Sequence, residues 1–251
     1  MRVFISGLTA AGKTTHSVFL AEEFSLQYIS ASSQLMKQFN KDPHVLRKDF
    51  WFNDESKEIR DVRKRDRSAD QATDQLLIAY AAKLEAAVFD TWALPWITPV
   101  KGLRIWLDSS LTTRCWKAYI SHGAVDKYIQ EQYEKEVIEK DTFTRQLFLD
   151  TYNFDIFHNL DVFDYILDIS SFITAPTKEA SSSSIKEVQK LVSSIIMYHI
   201  TLSAKNFSKL QSLFHHYGID VFKKTPLQLG KQCSGKEKQC IRVFTKSEQL
   251  F

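Results

Sequence analysis

Residues 7–14 read Gly-Leu-Thr-Ala-Ala-Gly-Lys-Thr and match the spacing G-x-x-x-x-G-K-[ST] with no mismatch. No other feature of the chain limits its fold as much. Gly7 and Gly12 permit backbone conformations that a Cβ would block, so successive N–H groups can turn inward on phosphate oxygens. A helix starting at the second glycine adds its free N–H groups and the positive end of its dipole. Such a loop requires a buried strand before it and a helix after it. The flanks supply both: Arg2-Val3-Phe4-Ile5-Ser6 is short, β-branched and aromatic, and residues 13–24 place Val18, Leu20, Ala21 and Phe24 at helical spacing. Only seven glycines occur in 251 residues, so finding two at the two required positions is hard to ascribe to chance. The expected cradle comprises Gly7, Thr9, Ala10, Ala11, Gly12, Lys13, Thr14 and Thr15. In it Lys13 reaches the β- and γ-phosphates of ATP, and the Thr14 hydroxyl ligates Mg²⁺.

Residues 26–30, 87–90, 103–108 and 165–169 are further strand-like runs. Helical patterns lie at about 70–85, 110–121, 127–152 and 185–200. Ser32 and Ser33 are the expected caps of a short helix containing Leu35, Met36 and Phe39. Residues 40–68, highly charged and including Trp51 and Phe52, read as a mobile or partly helical insertion, and the serines at 181–184 as a polar connection. Strands alternating with helices predict an α/β chain with a parallel five-stranded sheet of the P-loop NTPase type, flanked by helices. Asp90 ends the third strand, near the carboxyl edge where the loop must lie. A carboxylate there either holds Mg²⁺, directly or through water, or caps the next turn, and the metal role is the one expected.

The formal charge of +3 divides unevenly. Residues 201–251 carry 9 Lys/Arg against 3 Asp/Glu, so the basic excess belongs to the tail and residues 1–200 are net negative. That argues against a nucleic-acid partner for the main body. Cys115, Cys233 and Cys240 make neither a disulfide framework nor a metal site by spacing, and they read as ordinary thiols. No apolar run approaches the roughly 18–20 residues of a membrane helix, and no charged-then-apolar leader opens the chain. A cytoplasmic protein with no membrane partner is expected. His16 reads as a packing or surface residue, and the pair His215-His216 lacks further ligands at metal-site spacing.

The chain resembles the nucleoside monophosphate kinases, most closely the cytidylate kinase-like branch, over roughly residues 1–200. Residues 3–30 look like that branch's first strand, phosphate loop and second strand. Val88-Phe89-Asp90 looks like its third strand with the Mg²⁺-associated acid. Arg104-Ile105-Trp106-Leu107-Asp108-Ser109-Ser110-Leu111, followed by Arg114 and Lys117, is similar to its fourth strand and the start of its lid. Tyr152-Asn153-Phe154-Asp155 and then Phe163-Asp164-Tyr165-Ile166-Leu167-Asp168 resemble the end of the lid and the fifth strand.

The resemblance implies a kinase-like domain at 1–200, with an acceptor-binding region at about 31–84 and a lid at about 114–152. A basic extension at 201–251 follows, helical and then flexible. It also implies transfer of the γ-phosphoryl of ATP to a nucleoside monophosphate, CMP or another pyrimidine monophosphate being the first to test. A kinase for an unusual nucleotide or small metabolite, or a nucleotide-binding regulator without activity, is the alternative. Lys13, Arg114, Lys117 and Arg145 would neutralise the transferred group, with Lys127, Lys135 and Lys140 nearby. Lys37, Arg63, Arg67, Asp74 and Trp92 would meet the acceptor, while Trp92 and Trp96 stack on a ring or simply pack. The sequence departs from the family at the acceptor side, where the usual arginines after the second strand and after the third-strand acid are missing. Lysine there is a point charge and cannot grip phosphate bidentately.

Overall fold

The computed structural model describes residues 1–42, 54–124, 128–217, 219–221 and 241–245. Five parallel strands form the centre: β1 (Arg2–Gly7), β2 (Gln27–Ser30), β3 (Ala87–Asp90), β4 (Leu103–Asp108) and β5 (Tyr165–Asp168), in the order β2-β3-β1-β4-β5. β1 is an apolar run because both of its faces are covered. Val3 and Ile5 pack into one core with the helices α1 (Lys13–Glu23) and α8 (Lys178–Thr201). Phe4 points the other way and stacks on Phe89 with ring centroids 5.2 Å apart, against Leu77 and Ala81 of α4 (Ser68–Lys83). The chain therefore has the expected P-loop NTPase-type α/β fold.

Three helical connections leave the carboxyl edge of this sheet. After β2 come α2 (Ala31–Gln38), α3 (Asp54–Arg65) and α4. After β3 comes the single turn α5 (Leu94–Ile97), and after β4 the helices α6 (Leu111–Ser121) and α7 (Gln130–Tyr152). Trp51, Phe52 and Lys127 lie outside the described residues, as do Cys233 and Cys240. No described helix is long and apolar enough to cross a membrane.

Two local expectations need correction. The cap of α2 is Ser30, whose hydroxyl accepts from the Ser33 N–H at 3.2 Å; Ser32 and Ser33 fall inside the helix. The serines at 181–184 are not a connection but the first turns of α8, which begins at the Thr177 cap. Serine costs only about half a kcal/mol in a helix, less than the anchorage from Val188, Leu191, Val192, Ile195 and Ile196 on the sheet. The sheet also gains two strands beyond the expected five. Following α9 (Ala204–His216), β6 (Ile219–Val221) and β7 (Ile241–Thr245) extend it, β7 parallel to β5 and β6 antiparallel to β7. An exposed β5 edge would offer unpaired N–H and C=O groups, and Ile241-Arg242-Val243-Phe244-Thr245 has the composition to cover it.

Phe89 is fully buried, so Phe89→Ala is expected to lower the unfolding free energy by about 3–5 kcal/mol, read from urea denaturation.

Candidate active site

The loop between β1 and α1 has the backbone its glycines require. Gly7 has φ 154° and Gly12 φ 101°, and a Cβ on Gly7 would stand 2.4 Å from the Leu107 carbonyl oxygen. Ala10, also in the loop, takes the left-handed conformation at φ 60°. Lys13 folds over the loop and donates to the Gly7 and Leu8 carbonyls, each at 2.9 Å. Its ammonium lies 4.5 Å from the centre of the Trp92 ring. Desolvation pushes Lys13 down to about 8, against the pull of Asp90 and Asp141. Trp92 is thus placed against the loop lysine.

Asp90 stands at the end of β3, beside the first turn of α1. The Thr14 hydroxyl donates to its carboxylate at 2.6 Å and the Tyr28 hydroxyl at 3.1 Å. Burial pushes the Asp90 carboxyl up despite the nearby Lys13 ammonium and these two donors. Hydroxyl and carboxylate oxygens are the ligands a hard divalent cation takes. Among the described residues no group of three or more His, Cys, Asp or Glu could hold a metal by itself. Thr15 is exposed on the first turn of α1. His16 is buried beneath Gly12 and pushed down to about 3 by burial and by Lys117, which suits packing rather than proton transfer.

The lid cations separate into two kinds. Lys117 of α6 reaches the loop and donates to the Ala11 carbonyl at 3.3 Å and to the Ser109 hydroxyl at 3.4 Å. Arg114 is buried, and its guanidinium donates to the Ser109 carbonyl at 3.1 Å, the Thr9 carbonyl at 3.2 Å and the Asp141 carboxylate at 2.5 Å. The other Asp141 oxygen accepts from the Thr9 N–H at 2.9 Å. Arg114 is therefore a strut between α6, α7 and the loop, not a cation presented to a ligand. Arg145 is also placed otherwise than expected: it forks onto Asp155 at 2.6–3.0 Å and covers the Phe157 ring.

The expected acceptor residues are engaged with other side chains rather than with one another. Arg63 makes a bidentate pair with Asp70, its closest contact 2.6 Å, and lies over the Phe143 ring of α7. Arg67 donates to Asp150 at 3.0 Å and to the Leu147 carbonyl at 3.3 Å. Lys37 is exposed, near Gln34. The insertion after β2 thus lies along α7. Asp74 accepts from the Tyr152 hydroxyl at 2.8 Å, and burial pushes its carboxyl up to about 7. Asp74 lines a cavity of about 650 Å³ with Gln71, Gln75, Trp96, Tyr152 and Phe154, and neither Lys nor Arg is among the described residues lining it. Trp96 stacks on Phe154 at 4.6 Å and donates its indole N–H to the Asn159 carbonyl, so it packs.

Sequence reasoning missed Asp141 and Tyr28. Asp141 is one of many charges on a long helix, and nothing in its spacing marks it. Tyr28 sits two residues before Ser30, which pairs in register with Asp90, so only the sheet register puts its hydroxyl within reach of that carboxylate.

No protein-family model matches this sequence, and no curated protein does. Among solved structures, the chain is similar to a shikimate kinase from Bacteroides thetaiotaomicron at 13% identity, covering 77% of this chain and 98% of that one, with a TM-score of 0.46. It is similar to an uncharacterized protein from Eubacterium ventriosum at 12% identity, covering 80% and 99%, with a TM-score of 0.47. A deoxyadenosine kinase from M. mycoides with bound dATP matches at 13% identity, covering 77% and 100%, with a TM-score of 0.40. At these values the likenesses assign no family.

Removing the Asp141 carboxylate leaves a buried guanidinium unpaired, so Asp141→Ala is expected to cost about 3–5 kcal/mol in stability. Adding Arg114→Met should return part of that loss, and thermal melts of the single and double variants read the difference.

Proposed function

We propose that this chain transfers the γ-phosphoryl group of ATP to a small acceptor in the cytoplasm, with Mg²⁺ as cofactor. One observation carries the reading. Lys13 and Lys117, from two different helices, converge on carbonyl oxygens of a single glycine-framed loop at the carboxyl edge of a parallel sheet. Cations held partly out of water around such a loop favour a polyanion in their midst. The backbone of residues 9–14 and Lys13 bind and orient the donor phosphates, and Lys117 adds charge from the lid. Thr14 and Asp90 would hold Mg²⁺, which when bound neutralises the charge that develops on the phosphate oxygens.

The acceptor to test first is CMP or another pyrimidine monophosphate, as the resemblance implies. The engagement of Arg63 with Asp70 and of Arg67 with Asp150 favours a second reading, a nucleotide-binding regulator without transfer activity or a kinase for a small metabolite. ATP binding with no ADP release over a panel of monophosphates and small metabolites would select the regulator. ADP release that depends on one acceptor would eliminate it.

Lys13→Ala is expected to reduce acceptor-dependent ADP release at least about 100-fold while the melting curve remains cooperative. Wild-type turnover in this variant would overturn the reading.

Lys117 gives the pH dependence. Desolvation and Arg114 hold it at about 7, with Asp168 opposing, and His16 also faces it. Above that pH the free ammonium has lost its proton, whereas a bound phosphate favours the protonated form. Binding therefore takes up a proton, and affinity for ATP should fall as pH rises from about 7. Calorimetry at pH 8 in two buffers of different ionisation enthalpy reads the uptake directly.

A further inference from the structure

Arg63, Arg67, Arg114 and Arg145 are each tied to a carboxylate, whereas Lys13 is held in another way. Its ammonium donates to the Gly7 and Leu8 carbonyls, each at 2.9 Å, and lies over the Trp92 indole, 4.5 Å from the ring centre. Among the described residues no carboxylate makes an ion pair with it. Asp90 accepts from Thr14 and Tyr28, and Asp141 accepts from Arg114 and Thr9. Neutral carbonyls and a neutral ring therefore hold a full positive charge.

The ring is set by the fold and not by the lysine. Beyond the end of β3, the Thr91 N–H donates to the Ile5 carbonyl at 3.1 Å, and the buried Ser6 hydroxyl donates to the Trp92 carbonyl at 3.1 Å. The Trp92 side chain packs against the cluster of Ala93, Leu147, Phe148, Phe154 and Ile156, which joins the turn after β3 to the end of α7. β1 ends at Gly7, so one strand carries the Gly7 carbonyl and, through Ile5 and Ser6, the segment that bears the ring. The lysine is fixed between parts that already stand in place.

We propose that Trp92 is a positioning residue that holds Lys13 ready for the phosphates of ATP, an assignment that rests on the reading of this loop as an ATP site. A lysine side chain is long and flexible, and a ligand that must order it spends binding energy on the ordering. A carboxylate could order it too, but it would offset the charge and compete with phosphate oxygens for the ammonium. The π face of an indole attracts a cation with no formal charge of its own and binds it better than the face of Phe or Tyr. It also sets no fixed direction for an N–H bond, so the donor that the two carbonyls leave over can turn to a phosphate oxygen while the ring contact persists. Trp92 thus orders Lys13 and leaves its charge to the ligand.

The test replaces Trp92 site-specifically with mono-, di- and trifluorinated tryptophans, beside Trp92→Phe and Trp92→Leu. Fluorination leaves the shape and packing of the ring nearly unchanged but withdraws negative charge from its face. ATP affinity, read by calorimetry without acceptor, should fall with each added fluorine, to about fivefold below wild type for the trifluorinated ring. Trp92→Leu should weaken ATP binding about tenfold and Trp92→Phe less, with cooperative thermal melting in both. Constant affinity across the fluorinated series would overturn the assignment, and a loss confined to Trp92→Leu would then make the ring a packing residue only. Affinity that rises with fluorination would also overturn it, because the ring would then hold Lys13 away from the phosphates. If Trp92→Leu does not fold, the fluorinated series decides alone. If the wild type binds no ATP, the reading of the loop fails and this assignment fails with it, whereas unchanged binding in the variants of an ATP-binding wild type overturns this assignment alone.

Discussion

Arg114 lies beneath the glycine-framed loop between β1 and α1, with its guanidinium shared among two backbone carbonyls and the Asp141 carboxylate. Taking these charges out of water costs several kcal/mol for each ion, and the cost is offset only when the geometry meets most donors and acceptors. That condition ties three pieces of chain together. The loop must present the Thr9 N–H and carbonyl at one place, α6 must begin just after Ser109, and α7 must cross at Asp141. The loop is therefore braced from the lid side as well as by its glycines. Its conformation is partly a tertiary property of residues more than a hundred positions away.

The same arrangement explains why the other cations are uncomfortable. Asp141 is taken by Arg114 and Thr9, and Asp90 already accepts from Thr14 and Tyr28. Lys13, Lys117 and Lys140 are all held below the ordinary lysine range by desolvation, and in each case a neighbouring cation adds to the effect.

How much of this was legible in the sequence depended on the range of the interactions. The loop, the strand before it and the helix after it are local, and spacing alone placed them. β3, β4 and β5 were legible because strands covered on both faces must be continuously apolar. The serines at the start of α8 misled because local preference competed with an apolar stripe further along the same helix. β7 was missed because its short run gains meaning only from the open edge of β5, over seventy residues earlier. The arginines were the least legible. Arg63, Arg67, Arg114 and Arg145 have the composition of an anion site, but their carboxylate partners lie 7, 83, 27 and 10 residues away, and only the folded chain shows those bonds.

α7 has a consequence of a mechanical kind. It is one unbroken helix of 23 residues, held to the glycine-framed loop through Asp141 and to the wall of the 650 Å³ cavity through Tyr152. At about 1.5 Å per residue the two attachments stand roughly 16 Å apart on a rigid rod. A rod pinned at two points cannot tilt at one without moving the other. The loop contact at Thr9 and the cavity contact at Asp74 therefore share one rigid support. A displacement of that helix along its axis is felt at both ends, because a single element carries both contacts.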